Sequence, residues 1–271
     1  MRHYFSFSSL FCVLSLLTLT LSSPVLSAEE ATDQQIPITS ASPQLSAPSV
    51  TVNEIKIPNL STTIPAADIH HADRFEEKTA IIEKGRIDLV FLGDSITHFW
   101  DVAGASVQET YFGDLRRVNL GLGWNCTQHV LWELENIQAD RISPKAVMLM
   151  IGTNNIGNKK NTPEEVALGN AAVIRKVQAL WPDAKILVLG IFPRGNLADH
   201  PHRAIIQETN GKIAKLADHK NVFYLDIGER FLNEDGVLPK NIAPDFLHLT
   251  PAGYEIWGKA VAPLLRCWIA E

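Results

Sequence analysis

The feature that most constrains this chain is a recurrence. From about residue 87 onward, short uninterrupted apolar runs alternate with amphipathic stretches. The runs are Ile87-Asp88-Leu89-Val90-Phe91-Leu92, the weaker Val118-Asn119-Leu120, Ala146-Val147-Met148-Leu149-Met150-Ile151, Lys185-Ile186-Leu187-Val188-Leu189 and Val222-Phe223-Tyr224-Leu225. A strand that is apolar on both faces leaves no side for water, so its sheet must be covered twice, the mark of parallel α/β architecture. The intervening stretches carry helical spacing. Val130, Leu134 and Ile137 share one face, as do Val166, Val173, Val177 and Leu180. Thr162-Pro163-Glu164-Glu165 reads as a helix start, with a Thr cap, Pro at the first helical position and Glu at the third. Further helices are expected from about Arg203 to Asp218 and from Thr250-Pro251, the latter carrying Ile256, Ala260, Leu264 and Leu265. Right-handed crossovers leave few arrangements. The expectation is a flavodoxin-like three-layer α/β/α sandwich with a five-stranded parallel sheet in the order 2-1-3-4-5.

The N-terminal part has a different character. Arg2 and His3, an apolar run from Tyr4 to Leu21, and a small-residue exit at Ser27-Ala28 describe a signal peptide over 1–28. That reading implies a secreted or periplasmic protein with no stable membrane insertion after cleavage; an uncleaved anchor is the competing reading. Residues 29–65 are rich in Ser, Thr, Pro, Ala and Gln and read as a disordered linker, so the folded domain is expected over 66–271. A net charge of −6 argues against nucleic acid, which calls for a basic face. Cys126 and Cys267 give no disulfide framework and read as unbridged. Asn59-Leu60-Ser61 and Asn125-Cys126-Thr127 fit the glycosylation acceptor pattern.

In open parallel sheets, sites lie beyond the carboxyl ends of the strands. Four loops are therefore expected to meet at one edge: Gly93-Asp94-Ser95, Gly121-Leu122-Gly123-Trp124-Asn125, Gly152-Thr153-Asn154-Asn155 and Asp245-Phe246-Leu247-His248. Together they supply a hydroxyl, glycines, a side-chain amide, a carboxylate and an imidazole. These are the parts of an acyl-transfer site. Ser95 is the candidate nucleophile and needs a base, His248, to take its proton. Asp245, three residues earlier, can fix the imidazole tautomer. The oxyanion donors expected are the backbone N–H groups of Ser95 and Gly121 and the amide of Asn154. His98, Trp124, Arg194 and Phe246 are the candidate substrate contacts, with Trp100 also near the expected mouth. Taken singly, each block has a plainer reading as a turn, a cap or a strand exit; their conjunction at strand ends carries the assignment. His70-His71 and His200-Pro201-His202 lack the ligand set of a zinc site and read as solvated loop histidines.

Gly93-Asp94-Ser95, Asn119-Leu120-Gly121, Gly152-Thr153-Asn154-Asn155 and Asp245-Phe246-Leu247-His248 resemble the four blocks of the SGNH (GDSL-type) hydrolases, over about Asp88 to the C-terminus. The resemblance implies the flavodoxin-like sandwich, a Ser-His-Asp esterase mechanism and no metal or organic cofactor. Within the family, Thr127-Gln128-His129-Val130-Leu131-Trp132, Gly152-Thr153-Asn154-Asn155 and Pro193-Arg194-Gly195 are similar to the catalytic subunits of intracellular platelet-activating-factor acetylhydrolase. Trp124-Asn125 departs from the Gly-Asp of those enzymes, beside the oxyanion loop. Export also departs from them and is shared with bacterial carbohydrate acetylesterases. The expected substrate is thus a short-chain, acetyl-type ester on a small molecule or polysaccharide. The alternatives are a phospholipid ester, cleaved by an acetylhydrolase or lysophospholipase with the same site, and a non-catalytic binding module of the same fold.

Overall fold

A computed structural model describes residues 51–67 and 70–271. The expected signal peptide and most of the expected linker lie outside the described residues. In chain order the elements are α1 (Ala72–Glu83), β1 (Leu89–Gly93), α2 (Ser95–His98), α3 (Ala105–Phe112), β2 (Arg117–Asn119), α4 (Thr127–Asn136), β3 (Ala146–Met150), α5 (Thr153–Gly157), α6 (Pro163–Leu180), β4 (Lys185–Leu189), α7 (Pro201–Ile213), β5 (Val222–Leu225) and α8 (Pro251–Ala270). The five strands are parallel and ordered β2-β1-β3-β4-β5, as the alternation of apolar runs and helices predicts.

The period of two along each strand divides the core into two layers. Val90, Leu92, Val147, Leu149, Ile186 and Val188 face one side, where they meet Val130 and Leu134 of α4 and Val166, Val173 and Val177 of α6. Leu89, Phe91, Met148, Met150, Leu187 and Leu189 face the other, against Trp100, Phe112 of α3 and Tyr254, Trp257, Val261 and Leu265 of α8. The caps follow local chemistry. Thr162 Oγ1 accepts from the Glu165 N–H while the Glu165 carboxylate accepts from the Thr162 N–H, closing the capping box at α6. Thr250 Oγ1 likewise accepts from Gly253 N–H at the start of α8.

Packed structure begins earlier than Ala66. Val52 and Thr62 are buried, and Ile55 and Ile57 pack against the α4–α6 face of the core. The Arg175 guanidinium on α6 donates to the carbonyls of Val52 and Ile55 at 2.6 and 2.7 Å. The linker composition hid this strap because its anchors are isolated apolar residues without period, held by a cation that lies far along the chain. Helices α1 and α3 also escaped the periodicity reading. The inward positions of α1 include Lys78, and those of α3 include Gln108, so neither shows an apolar stripe. Among the described residues, no disulfide joins buried Cys126 to exposed Cys267, no helix is long and apolar enough to cross a membrane, and no cluster of three His, Cys, Asp or Glu side chains could hold a metal. Asn125 is fully buried, which closes that acceptor site in the folded chain, whereas Asn59 is exposed.

Candidate active site

β1 delivers Ser95 to the carboxyl edge of the sheet as the first residue of α2. The turn is tight. A Cβ at Gly93 would lie 2.5 Å from the Met150 carbonyl oxygen, so β1 and β3 approach closely just before the serine. Asp94 caps α2, its Oδ1 accepting from the Ile96 N–H at 2.9 Å. The Tyr254 hydroxyl donates to the Ile96 carbonyl at 2.6 Å and ties the turn to α8. The turn carrying Ser95 is therefore held by its own cap and by α8.

The loop before α8 brings the other two groups. Ser95 Oγ lies 2.9 Å from His248 Nε2, and His248 Nδ1 lies 2.6 Å from Asp245 Oδ2. Asp245 Oδ1 also accepts from the backbone N–H of Leu247 at 3.1 Å and of His248 at 2.8 Å. This short turn fixes the carboxylate beneath the ring it serves. Burial raises the Asp245 pKa, but the hydrogen bonds from the His248 ring and from the two backbone N–H groups outweigh it, and the net shift is downward. The carboxylate is thus ionised across the neutral range. With Nδ1–H directed at Asp245, the Nε2 lone pair faces the serine hydroxyl, the arrangement that lets the ring accept a proton.

A pocket of about 290 Å³ opens over Ser95, lined by Asn154, His98, Phe99, Gly123, Trp124, Arg194, Leu247 and His248 among others. Asn154 is nearly buried at the start of α5. Its Nδ2 donates to the Asn125 carbonyl at 3.0 Å and its Oδ1 accepts from Asn158 Nδ2 at 3.1 Å, which sets the amide's orientation. The Arg194 guanidinium donates to the Thr153 carbonyl at 3.0 Å, so the same side chain that lines the pocket also holds the segment carrying Asn154.

Gly121 is a correction. Its N–H donates to Asn119 Oδ1 at 2.9 Å, and it is absent from the pocket wall. A Cβ at 121 would stand 2.5 Å from the His98 nitrogen and 2.7 Å from the Thr97 carbonyl carbon. The close approach that requires glycine is to the backbone of α2, not to a ligand. The residues of this loop that line the pocket come two and three positions later, Gly123 and Trp124. Phe246 is a second correction: its neighbour Leu247 lines the pocket, while Phe246 packs against the core beneath Lys240. Trp100 is fully buried, packed among Trp257, Tyr254 and Phe112. His98 and Trp124 do line the pocket, and Trp124 is 63% exposed.

Three groups at the site were given no role there by the sequence. Arg74 of α1 donates from Nε to the Gly121 carbonyl at 2.9 Å and from Nη2 to Asp101 Oδ2 at 2.9 Å, pinning the second loop. Asn119 donates to the Thr97 carbonyl at 2.9 Å while accepting from Gly121. His71, expected to be a solvated loop residue, is half-buried at the N-terminus of α1 and lines the pocket against His98, their ring centroids 5.7 Å apart. Burial, with Arg74 and His71 nearby, pushes the His98 pKa down to about 4. His98 is therefore neutral wherever the site can work. Desolvation pushes the Asp94 pKa up to about 7, against the hydrogen bond from Ile96 and the Arg194 charge.

The profile of the GDSL-like Lipase/Acylhydrolase family matches residues 91–256, a span that begins in β1 and ends in α8. The chain belongs to this family. It is 34% identical over 189 residues to human platelet-activating factor acetylhydrolase IB subunit alpha1, covering 68% of this chain and 78% of that protein. It is 37% identical over 170 residues to the rat alpha2 subunit, covering 62% and 71%. Among solved structures, the acetylxylan esterase of Geobacillus stearothermophilus superposes with a TM-score of 0.54 at 18% identity, covering 67% of this chain and 94% of that one, a likeness of fold. As a member of the family, the chain is a hydrolase of the esterase and acylhydrolase kind.

Proposed function

We propose that the chain hydrolyses short-chain, acetyl-type esters through an acyl-enzyme on Ser95. The observation that carries this reading is the hydrogen-bonded line from Ser95 Oγ through His248 to Asp245, beside a pocket lined by the Asn154 amide. His248 Nε2 takes the hydroxyl proton as Oγ attacks the acyl carbon. The oxyanion is held by the Ser95 N–H, the Asn154 amide and the backbone of the Gly123–Trp124 segment, worth about a hundredfold to a thousandfold per donor. His248 returns the proton to the departing alcohol. Water then attacks the acyl-enzyme, His248 takes its proton, and the carboxylic acid leaves as Ser95 recovers its hydrogen. Asp245 stays ionised and stabilises the imidazolium in both halves. No step calls for a metal or organic cofactor.

The pocket's modest volume, about 290 Å³ with Phe99 and Leu247 on its wall, favours a small acyl group over a long chain. The alcohol we favour is a carbohydrate, and the leader pattern at residues 1–28 supports export to where such polymers are met. A second reading, an acetyl ester on a phospholipid alcohol, is favoured by the similarity to platelet-activating factor acetylhydrolase subunits. Initial rates on p-nitrophenyl esters of increasing chain length, with acetylated xylan and an acetylated ether phospholipid alongside, test both. The expected result is a maximum at the acetyl ester and release of acetate from the polysaccharide. Activity confined to long acyl chains would overturn the short-acyl reading, and acetate released only from the lipid would select the second.

A further inference from the structure

We infer that a carbohydrate subsite adjoins the acyl pocket, with the Trp124 indole as the platform on which a neutral pyranose ring stacks. The inference rests on the ester-hydrolase reading and names the alcohol side of its substrate.

The loop holding Trp124 is anchored on both sides. Before it, a Cβ at Gly123 would overlap the His71 ring. After it, Asn125 is fully buried, its Nδ2 donating to the buried Glu133 carboxylate at 2.5 Å. Between these anchors Trp124 stands 63% exposed in the left-handed region, with φ 65°. A bulky residue rarely holds that conformation, and here it carries an indole that stands mostly in water. Such a combination persists where a ligand uses it.

Its position supplies the rest. Trp124, His71 and Asn158 line both the pocket over Ser95 and a second cavity of about 670 Å³, which His129 and Lys159 also line. The two cavities meet at the indole. The second is far larger than an acetyl group needs, and its wall is chiefly imidazole, amide and ammonium. An alkyl chain there would desolvate polar groups without replacing their hydrogen bonds. A sugar offers what the lobe matches: an apolar C–H face for the indole, and hydroxyls for Asn158, Lys159 and His71.

The test separates binding from turnover. Binding of unsubstituted xylotetraose to the Ser95→Ala protein is measured by calorimetry, against Ser95→Ala/Trp124→Gly and Ser95→Ala/Lys159→Ala. Glycine suits the left-handed backbone, so the first substitution keeps the loop, and circular dichroism checks each fold. The expected result is saccharide binding weakened roughly tenfold without the indole and several-fold without the ammonium. Equal affinity in all three proteins, or no saccharide binding at all, would overturn the subsite. Indole-dependent binding of glycerophosphocholine, with none of the saccharide, would overturn it in favour of a lipid headgroup. Wild-type turnover of ethyl acetate is followed in parallel. Its absence alongside indole-dependent saccharide binding would sink the ester-hydrolase reading while leaving the lobe a carbohydrate site.

Discussion

Replacing Asp94 with Asn changes one proton and little else, and its effect on stability can be worked out in advance. Asp94 is completely buried, and its Oδ2 has no hydrogen-bond partner. Burial raises its pKa from 3.8 to about 7, so in the folded chain the carboxyl keeps its proton through a range in which the unfolded chain has lost it. Within that window the native state binds more protons than the unfolded state. The contribution of Asp94 is therefore fully present below about pH 4, falls as pH rises, and levels off above about pH 7. At about 1.4 kcal/mol per pH unit, the loss across the window is on the order of 4 kcal/mol. Asn has no such proton. It keeps the oxygen that caps Ile96 but places an amide where Oδ2 stood, a penalty of about 1–3 kcal/mol that does not vary with pH. Asp94→Asn is thus expected to be less stable than the parent near pH 4 and to gain on it steadily toward neutrality. With a urea slope of about 2 kcal/mol/M, the midpoint difference between the proteins should move by roughly 2 M over that interval. Equilibrium urea unfolding, followed by tryptophan fluorescence in buffers from about pH 4 to 8.5, reads this directly. Parallel midpoint curves for the two proteins would refute the buried, protonated carboxyl.

Three further outcomes are expected. Asn154→Ala should lower kcat by about two to three decades with a smaller change in KM, because the amide is used chiefly as the oxyanion forms; an unchanged kcat excludes it from that role. Gly121→Ala should lower stability by about 2–3 kcal/mol, since the new methyl meets backbone atoms of Thr97 and His98 that cannot step aside; a melting temperature equal to the parent's would contradict the packing described. Asp245→Asn should preserve the fold and reduce kcat by about a hundredfold or more, through loss of the tautomer anchor and of the charge that stabilises the imidazolium; steady-state kinetics with wild-type kcat would rule out that support.

The parts legible in the sequence were those in which one residue type at one place admits few explanations. β4 and β5 matched their expected runs residue for residue because both are short and sharply ended, β4 by Gly190 and β5 by Asn221 and Asp226. Ser95, His248 and Asp245 could be expected together because strand ends in a parallel sheet share an edge. Gly121 shows where this reasoning stops. A glycine after a strand announces close approach, but the sequence does not say to what, and here the answer is the backbone of α2. Phe246 and Leu247 differ by one position in a turn where neighbouring side chains diverge, and Phe246 sits at φ 60°. Arg74 and His71 left no local signal, since their partners Gly121 and His98 lie on other elements.

The central claim, that Ser95 is a nucleophile activated by His248, meets its most direct test in covalent labelling. The protein is incubated with a fluorophosphonate near neutral pH, and the modified peptide is identified by mass spectrometry. A single adduct on Ser95 is expected, with loss of esterase activity in proportion to labelling and neither adduct nor turnover in Ser95→Ala. An adduct on another residue, or a Ser95→Ala protein that still turns over ester at the parent rate, would contradict it.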